Sequence, residues 1–423
     1  MKFPIMVSAM KRLLLVCAVA AFAAPVTVLA QAAPEAAPEA APASTPAPAD
    51  PPIFSIWGFD LTGYVDVGYT RLSGRGAFNT TPSGPAATIG GPDRVFDYRR
   101  NGFDLHQVAF TLANQPKEGF GGVLNLTLGR DADVIAAYKT GPSRGDGCNL
   151  ATGQSSTGKC RKTGYDFTQV FAQYATGPAT LMLGKYVTLA GAEVINSTAD
   201  SNFSRSILFG YAIPFTHTGL RLNYAATDTL TLIGGVNNGW DDLRDTNSGK
   251  TIELGASYAP VKEFSIGGQF YSGKERVGGL VNTGPEGTRS LFDAVATFNA
   301  TDKLTFILNY DYATQANAAN VTATGASRAK WSGLAGYANY QIDESWKISL
   351  RGEYFDDRDG YRTGVAQKWK EVTLTVGYTP IKNLELRGEV RGDRSNVPAF
   401  VKSDNTSASK SERSVGLEAI YKF

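Results

Sequence analysis

Between Ile53 and Phe423 the chain is written in segments of about ten residues in which apolar and polar side chains alternate, with aromatic and β-branched residues enriched. That period belongs to a strand, because successive side chains on a strand point to opposite faces. From Trp57 to Arg71, Phe59, Leu61, Val65, Val67 and Tyr69 share one face, and Asp60, Thr62, Tyr64, Asp66 and Thr70 share the other. Leu384, Leu386 and Val390 alternate in the same way with Glu385, Arg387, Glu389 and Arg391. The last segment repeats the pattern with Val415, Leu417, Ala419, Tyr421 and Phe423. No segment sustains a helical period, and beyond the first 30 residues no apolar run is long enough for a membrane helix.

Sixteen such segments are predicted, with cores at 57–71, 102–113, 120–129, 165–175, 179–188, 216–226, 229–239, 250–259, 264–273, 288–299, 304–314, 330–341, 345–355, 369–379, 384–393 and 412–423. The connections alternate between two kinds. One kind is short, as at Gln115 to Glu118, Thr227-Asp228, Val261 to Glu263, Thr301 to Lys303, Asp343-Glu344 and Ile381 to Asn383. The other is long and polar: 72–101, 130–164, 189–215, 240–249, 274–287, 315–329, 356–368 and 394–411. Short turns on one rim and long loops on the other predict an all-β fold, a transmembrane antiparallel β-barrel with short periplasmic turns and long extracellular loops. Tyr224, Tyr258, Phe264, Phe298, Tyr340, Trp346, Tyr378 and Phe423 lie beside the short turns on the apolar faces, where an interfacial aromatic girdle belongs.

The N-terminus suits an exported barrel. Lys2, Lys11 and Arg12 precede the apolar run Leu13 to Ala30, which ends in Val28-Leu29-Ala30, so residues 1–30 read as a signal peptide. Residues 31–52 are almost entirely Ala, Pro and Glu, offer nothing to bury, and read as a disordered periplasmic tether before a barrel at 53–423. Removing three cations from 41 leaves 38 against 39 acidic residues, which gives no basis for nucleic-acid binding. Cys148 and Cys160 remain after cleavage, in a polar loop of an exported chain, and are expected to form a disulfide.

The polar faces carry the functional reading. Around 16 strands enclose a space too wide for side chains alone to fill, so the polar face is expected to line water. The inward charges read from parity are Glu253, Asp311, Lys347, Arg351, Glu353, Glu371, Glu385, Arg387, Glu389 and Arg391. Charges at membrane depth are tolerated when they face water or each other. They can therefore act on permeating ions or simply brace the wall, and both readings stay open. Their signs are mixed, so no ion preference follows.

Several stretches resemble the OmpL-like outer-membrane β-barrel porin family. They are Asn101-Gly-Phe-Asp-Leu-His-Gln-Val-Ala-Phe110, Gly129-Arg-Asp-Ala132, Gly184-Lys185, Gly191-Ala-Glu-Val194, Phe203-Ser-Arg-Ser-Ile-Leu-Phe209, Ile213 to Gly219 and Val236-Asn-Asn-Gly-Trp-Asp241. The resemblance spans most of 57–423 and implies a porin, a passive outer-membrane pore for small hydrophilic solutes and ions. It lacks the Pro-Glu-Phe-Gly-Gly motif of trimeric porins, so it leaves a homo-oligomer open. In porins the third long loop narrows the pore, which makes 189–215 the corresponding loop and Glu193, Asp200 and Arg205 its constriction residues. Its apolar content (Phe203, Ile207, Leu208, Phe209, Ile213, Phe215) is unusual for an exposed loop. The expected partners are outer-membrane lipid, the solutes themselves, and the barrel-assembly machinery through the final strand ending in Phe423.

Two other functions compete for the same strand pattern. An outer-membrane hydrolase needs a positioned histidine, and only His106 and His217 exist, without a G-x-S-x-G or H-E-x-x-H motif beside either. His106 has lipid-facing parity in its segment. No catalytic residue, metal site or cofactor is therefore expected. A surface receptor or adhesin would act through its loops, and 72–101 and 130–164 read as Gly/Ser/Pro-rich without a cluster of aromatic anchors.

Overall fold

Every predicted segment forms a strand. The computed structural model describes residues 52–81, 91–97, 100–135, 154–155, 158–159, 164–245, 247–277, 285–319 and 322–423. The signal peptide, the tether up to residue 51 and the Cys148–Cys160 pair lie outside the described residues. The first eight barrel strands are β1 (Phe59–Leu72), β2 (Asn101–Asn114), β3 (Gly119–Leu128), β4 (Tyr165–Thr176), β5 (Ala179–Val187), β6 (Thr216–Thr227), β7 (Leu230–Asn237) and β8 (Thr251–Val261). The second eight are β9 (Phe264–Arg276), β10 (Glu286–Thr301), β11 (Leu304–Ala316), β12 (Arg328–Gln341), β13 (Trp346–Asp357), β14 (Gln367–Ile381), β15 (Leu384–Ser395) and β16 (Ser411–Lys422).

Each strand pairs antiparallel with the next, and β16 pairs with β1, so the sheet closes on itself. The end of the chain seals the seam, where Phe423 and Gly63 exchange both backbone hydrogen bonds at 2.9 Å. Closure removes the unpaired strand edges that hydrocarbon cannot solvate.

The short turns are built from residues that satisfy their own backbone. Asp343 Oδ1 accepts the N–H groups of Ser345 and Trp346, both at 2.9 Å. Thr301 Oγ1 accepts from Lys303 and Leu304, and Thr227 Oγ1 from Thr229 and Leu230. Such side-chain turns need few residues and fix the register of the strands they join.

The faces divide as the alternation requires. On β11, Phe306, Leu308, Tyr310 and Tyr312 are exposed on the outside, whereas Asn309, Asp311 and Gln315 are buried on the inside. Tyr224, Tyr258, Phe298, Tyr340 and Trp346 stand exposed beside the short turns. Above them, toward the long loops, the interior contains an apolar cluster. Leu291, Ile307, Trp331, Phe355 and Trp369 of the wall meet Ile207, Leu208, Phe209 and Phe215 of the third loop.

Two expectations require correction. Parity placed His106 toward lipid, but β2 carries a bulge there: Leu105 pairs with Val67 and Gln107 with Asp66, leaving His106 extra. A bulge shifts the alternation by one residue, so His106 and Gln107 both turn inward and are buried. The long loop 72–101 reads in sequence as Gly/Ser/Pro-rich without a cluster of aromatic anchors. Its segment Gly74–Phe78 is instead a short strand paired with Phe400–Lys402, and Phe78 and Phe96 are buried in the interior cluster.

Candidate functional site: the inner wall and residues 189–215

Residues 189–215 join β5 to β6. Their local structure is compact: a 3-10 turn at Ser197–Ala199, capped by Asn196 Oδ1 accepting from Thr198 N at 3.0 Å, and a π-helical turn at Leu208–Ala212. Neither element has enough internal hydrogen bonds to satisfy its backbone, and that deficit is met by the barrel wall.

Four acidic or amide side chains of the wall accept backbone N–H groups. Glu353 on β13 takes Ile207 N at 3.0 Å and Leu208 N at 3.1 Å. Glu389 on β15 takes Phe203 N at 2.8 Å and Ser204 N at 3.1 Å. Asp293 on β10 takes Gly191 N at 3.0 Å, and Asn309 on β11 takes Ala192 N at 3.2 Å. The carbonyls of the segment are met by donors in the same way. Arg351 donates to Ser204 O at 2.6 Å, Arg391 to Arg205 O at 2.8 Å and Arg387 to Ser197 O at 3.3 Å. Gln107 donates to Ile195 O at 2.8 Å, and Trp331 Nε1 to Ala212 O at 3.0 Å. Hydrogen bonds to charged groups contribute about 1.5–3 kcal/mol each, more than neutral ones.

The three residues assigned to the constriction belong to this network. Glu193 accepts from Arg351 at 2.7 Å and from Ser206 N at 2.7 Å. Arg205 pairs with Asp200 at 2.5 Å and donates to Ile195 O at 2.9 Å, while its guanidinium lies within 6 Å of the ring centroids of Phe96 (5.7 Å) and Phe209 (5.8 Å). All three are buried, so they hold the segment's shape in this conformation.

All ten charges read from parity lie on the inner face, in two different settings. Arg351 is fully buried among Glu193, Glu353 and Glu371 at 2.7–3.2 Å. Arg387 bridges Glu385 at 2.6 Å and Glu418 at 3.0 Å, and Arg391 pairs with Asp393 at 2.8 Å. Glu253 accepts from Arg221 at 2.8 Å and from the Tyr271 hydroxyl at 2.9 Å. Asp311 stands directly opposite Asp293 in register. Lys347 and Glu385, nearer the short turns, pair at 2.7 Å and remain partly exposed. A wall lined throughout by water was the expectation. The structure instead covers the middle charges, because the segment 189–215 and the loop residues above it occupy the space they face.

The parts that the sequence reading missed anchor the segment from outside it. Asp131, in the six-residue helix Arg130–Ile135, accepts from Gln107 at 2.8 Å and lies 3.2 Å from His106 Nδ1, while Arg130 pairs with Asp104 at 3.0 Å. The two motifs around His106 and Arg130 thus dock on each other. Gly129 makes the approach possible at φ 105°, where a Cβ would meet His106 O at 2.7 Å. At the other end Asp241 accepts from Phe215 N and Thr216 N, both at 2.8 Å. Burial pushes the Asp241 carboxyl up to about 6, against the lowering effect of those two N–H groups. Asp97, in the first long loop, is held below the usual carboxylate range. Burial would raise it, but the charges of Arg94 (2.7 Å) and Arg391 outweigh that.

The family profile described as Putative beta-barrel porin-2, OmpL-like matches residues 58–423. Among solved structures, the outer membrane channel DcaP of Acinetobacter baumannii is similar at 14% identity and TM-score 0.54, covering 88% of this chain and 100% of that one. The anion-selective porin from Comamonas acidovorans is similar at 12% identity and TM-score 0.55, over 86% and 99%. OmpT, an outer membrane protein of Vibrio cholerae, is similar at 10% identity and TM-score 0.52, over 86% and 97%. No curated protein sequence matches the chain.

Proposed function

The chain belongs to the OmpL-like β-barrel porin family of the outer membrane, and from that premise we propose that it is a passive channel for small hydrophilic solutes and ions in which residues 189–215 set the width of the pore. The observation that carries this reading is the capture of the segment's backbone by Glu353 and Glu389, which holds it across the lumen at the level of the buried charges. Below it, toward the short turns, the inner face is polar and partly exposed at Lys347, Glu385, Thr305 and Asn339, a vestibule suited to hydrated solutes. The segment is held by hydrogen bonds and ion pairs and by no covalent link among the described residues, so its docking is reversible in principle.

The test is single-channel conductance of the refolded protein in a planar bilayer. Deleting residues 195–208 is expected to raise conductance while the barrel stays folded and heat-modifiable. Unchanged conductance removes the role assigned to the segment and leaves the channel standing. Absence of conductance from folded, inserted protein of both forms removes the channel itself, and action through the surface loops then leads.

A further inference from the structure

The outward face of β14, β15, β16 and β1 changes character abruptly at its extracellular end. On β14 the exposed series Val376, Leu374, Val372 gives way to Lys370. On β15 Leu386 and Val390 lead to Arg394, on β16 Leu417 and Val415 lead to Arg413, and on β1 Val65, Val67 and Tyr69 lead to Arg71. Four adjacent strands therefore each end their apolar band in an exposed cation at about the same height.

These cations are neighbours. Lys370 is directly opposite Arg394 in register. Arg394 faces Ser411, and Arg413 faces Gly392, which sets Arg413 diagonal to Arg394. Arg71 faces Val415 and is diagonal to Arg413. Their other cross-strand partners are Tyr354 and Asn101, so no carboxylate stands opposite any of the four. The nearby acids Glu371, Asp393 and Glu412 point into the barrel and are buried; the one outward carboxylate beside the row among the described residues, Asp356, is diagonal to Lys370 and faces a further cation, Lys368. Like charges directly opposite on a sheet repel, so a row of four cations across about 15 Å of sheet favours an anionic partner from outside. Elsewhere on the outer face of the same rim the chain supplies that counter-charge itself, where Arg276 meets Glu286 at 3.2 Å.

Given the outer-membrane location, we propose that Lys370, Arg394, Arg413 and Arg71 form a binding site for the phosphorylated headgroup of the outer-leaflet glycolipid, lipopolysaccharide. The patch lies one step beyond the hydrocarbon-facing residues, at the depth of a headgroup whose acyl chains would run down over Val372, Val390, Val415 and Val67. Arginine forks bind phosphate oxygens in pairs of parallel N–H···O bonds, and lysine adds a mobile point charge. The site is on the outside of the wall and does not depend on what passes through the lumen.

The test is native mass spectrometry of the folded mature chain titrated with bisphosphorylated lipid A, with lipid A stripped of both phosphates, and with inorganic phosphate as competitor. Bisphosphorylated lipid A is expected to bind, and the triple variant K370Q/R394Q/R413Q to bind on the order of 100-fold more weakly. The single variant R394Q, which leaves three cations in place, is expected to fall between. A control of equal charge change on the opposite rim, K117Q/K262Q/K303Q, is expected to bind as the parent does. Binding by the folded triple or single variant at parental strength, or equal binding of the stripped lipid, overturns the proposal. Displacement of the lipid by millimolar inorganic phosphate also overturns it, because the site would then select a free anion.

Discussion

The inner ends and the middle of the same strands live in different solvents. On β13, Lys347 keeps 27% of its side chain exposed, whereas Arg351, about 13 Å further along the strand, is completely covered. β15 repeats the step from Glu385 at 15% to Arg387 at 0%. Both settings hold charged side chains in ion pairs. What differs is the cover: water reaches the vestibule near the short turns, and the segment 189–215 replaces water in the middle. Polarity of an inward face thus marks where a charge points, while a separate chain segment decides whether it meets solvent.

That contrast can be broken most directly at the two cations. Arg351→Ala leaves Glu193, Glu353 and Glu371 without their shared partner in a covered site, and loss of one member of a buried pair costs about 3–5 kcal/mol. Lys347→Ala removes a partly exposed pair and is expected to cost at most about 1 kcal/mol. Urea unfolding of the refolded barrel in lipid reads both, and equal losses would show that cover is irrelevant.

A second comparison sets the carboxylates against each other. Glu353→Ala with Glu389→Ala strands four backbone N–H groups, at about 1–3 kcal/mol each. The segment is then expected to loosen, so that trypsin cuts after Arg205 and conductance rises. Glu385→Ala, in the wet vestibule, is expected to change neither. Protection of Arg205 in the double variant would mean that apolar packing alone holds the segment.

A smaller effect is expected from pH at the covered end of the segment. Asp241 has its folded pKa raised from 3.8 to about 6, so the folded state binds the proton more tightly than the unfolded one. Stability should therefore rise as pH falls from about 6 toward 4, and this increment is absent above that window. Asp242 and Arg362 are the charges acting on it, with opposite signs. Asp241→Asn is expected to reduce the acid-side rise in unfolding temperature. A rise of unchanged size in the variant would assign it to other groups. The smallest change is expected at a turn in solvent: Asp343→Ala loses two N–H contacts that water replaces, for about 0.5–1 kcal/mol in the same unfolding assay.

The strands were legible because each needs only its own sequence: alternation places Glu353 and Arg351 inward with no knowledge of what they meet. The failures occur where a local rule meets a long-range contact. His106 was misplaced because a bulge is one residue of pairing, visible only in the register with Val67 and Asp66. Phe78 and Phe96 did carry a signal, being large aromatics in a Gly-rich loop, but Phe78 packs on Phe400, more than 300 residues away in sequence, and Phe96 on Phe209 and Phe215. Gln107 and Asp241 bind backbone groups of a separate segment and Asp131 holds the Gln107 side chain, and no residue pattern encodes such partners.

That last point bears on how the protein can change over generations. Glu353, Glu389, Asp293 and Asp241 grip main-chain N–H groups, which every residue except proline presents. The exposed side chains of 189–215, such as Val194, Asn196 and Ala199, can therefore be exchanged one at a time while the grip persists, provided the backbone keeps its path. The wall acts as a fixed socket, so the exposed face of the segment can drift without a new barrel having to evolve.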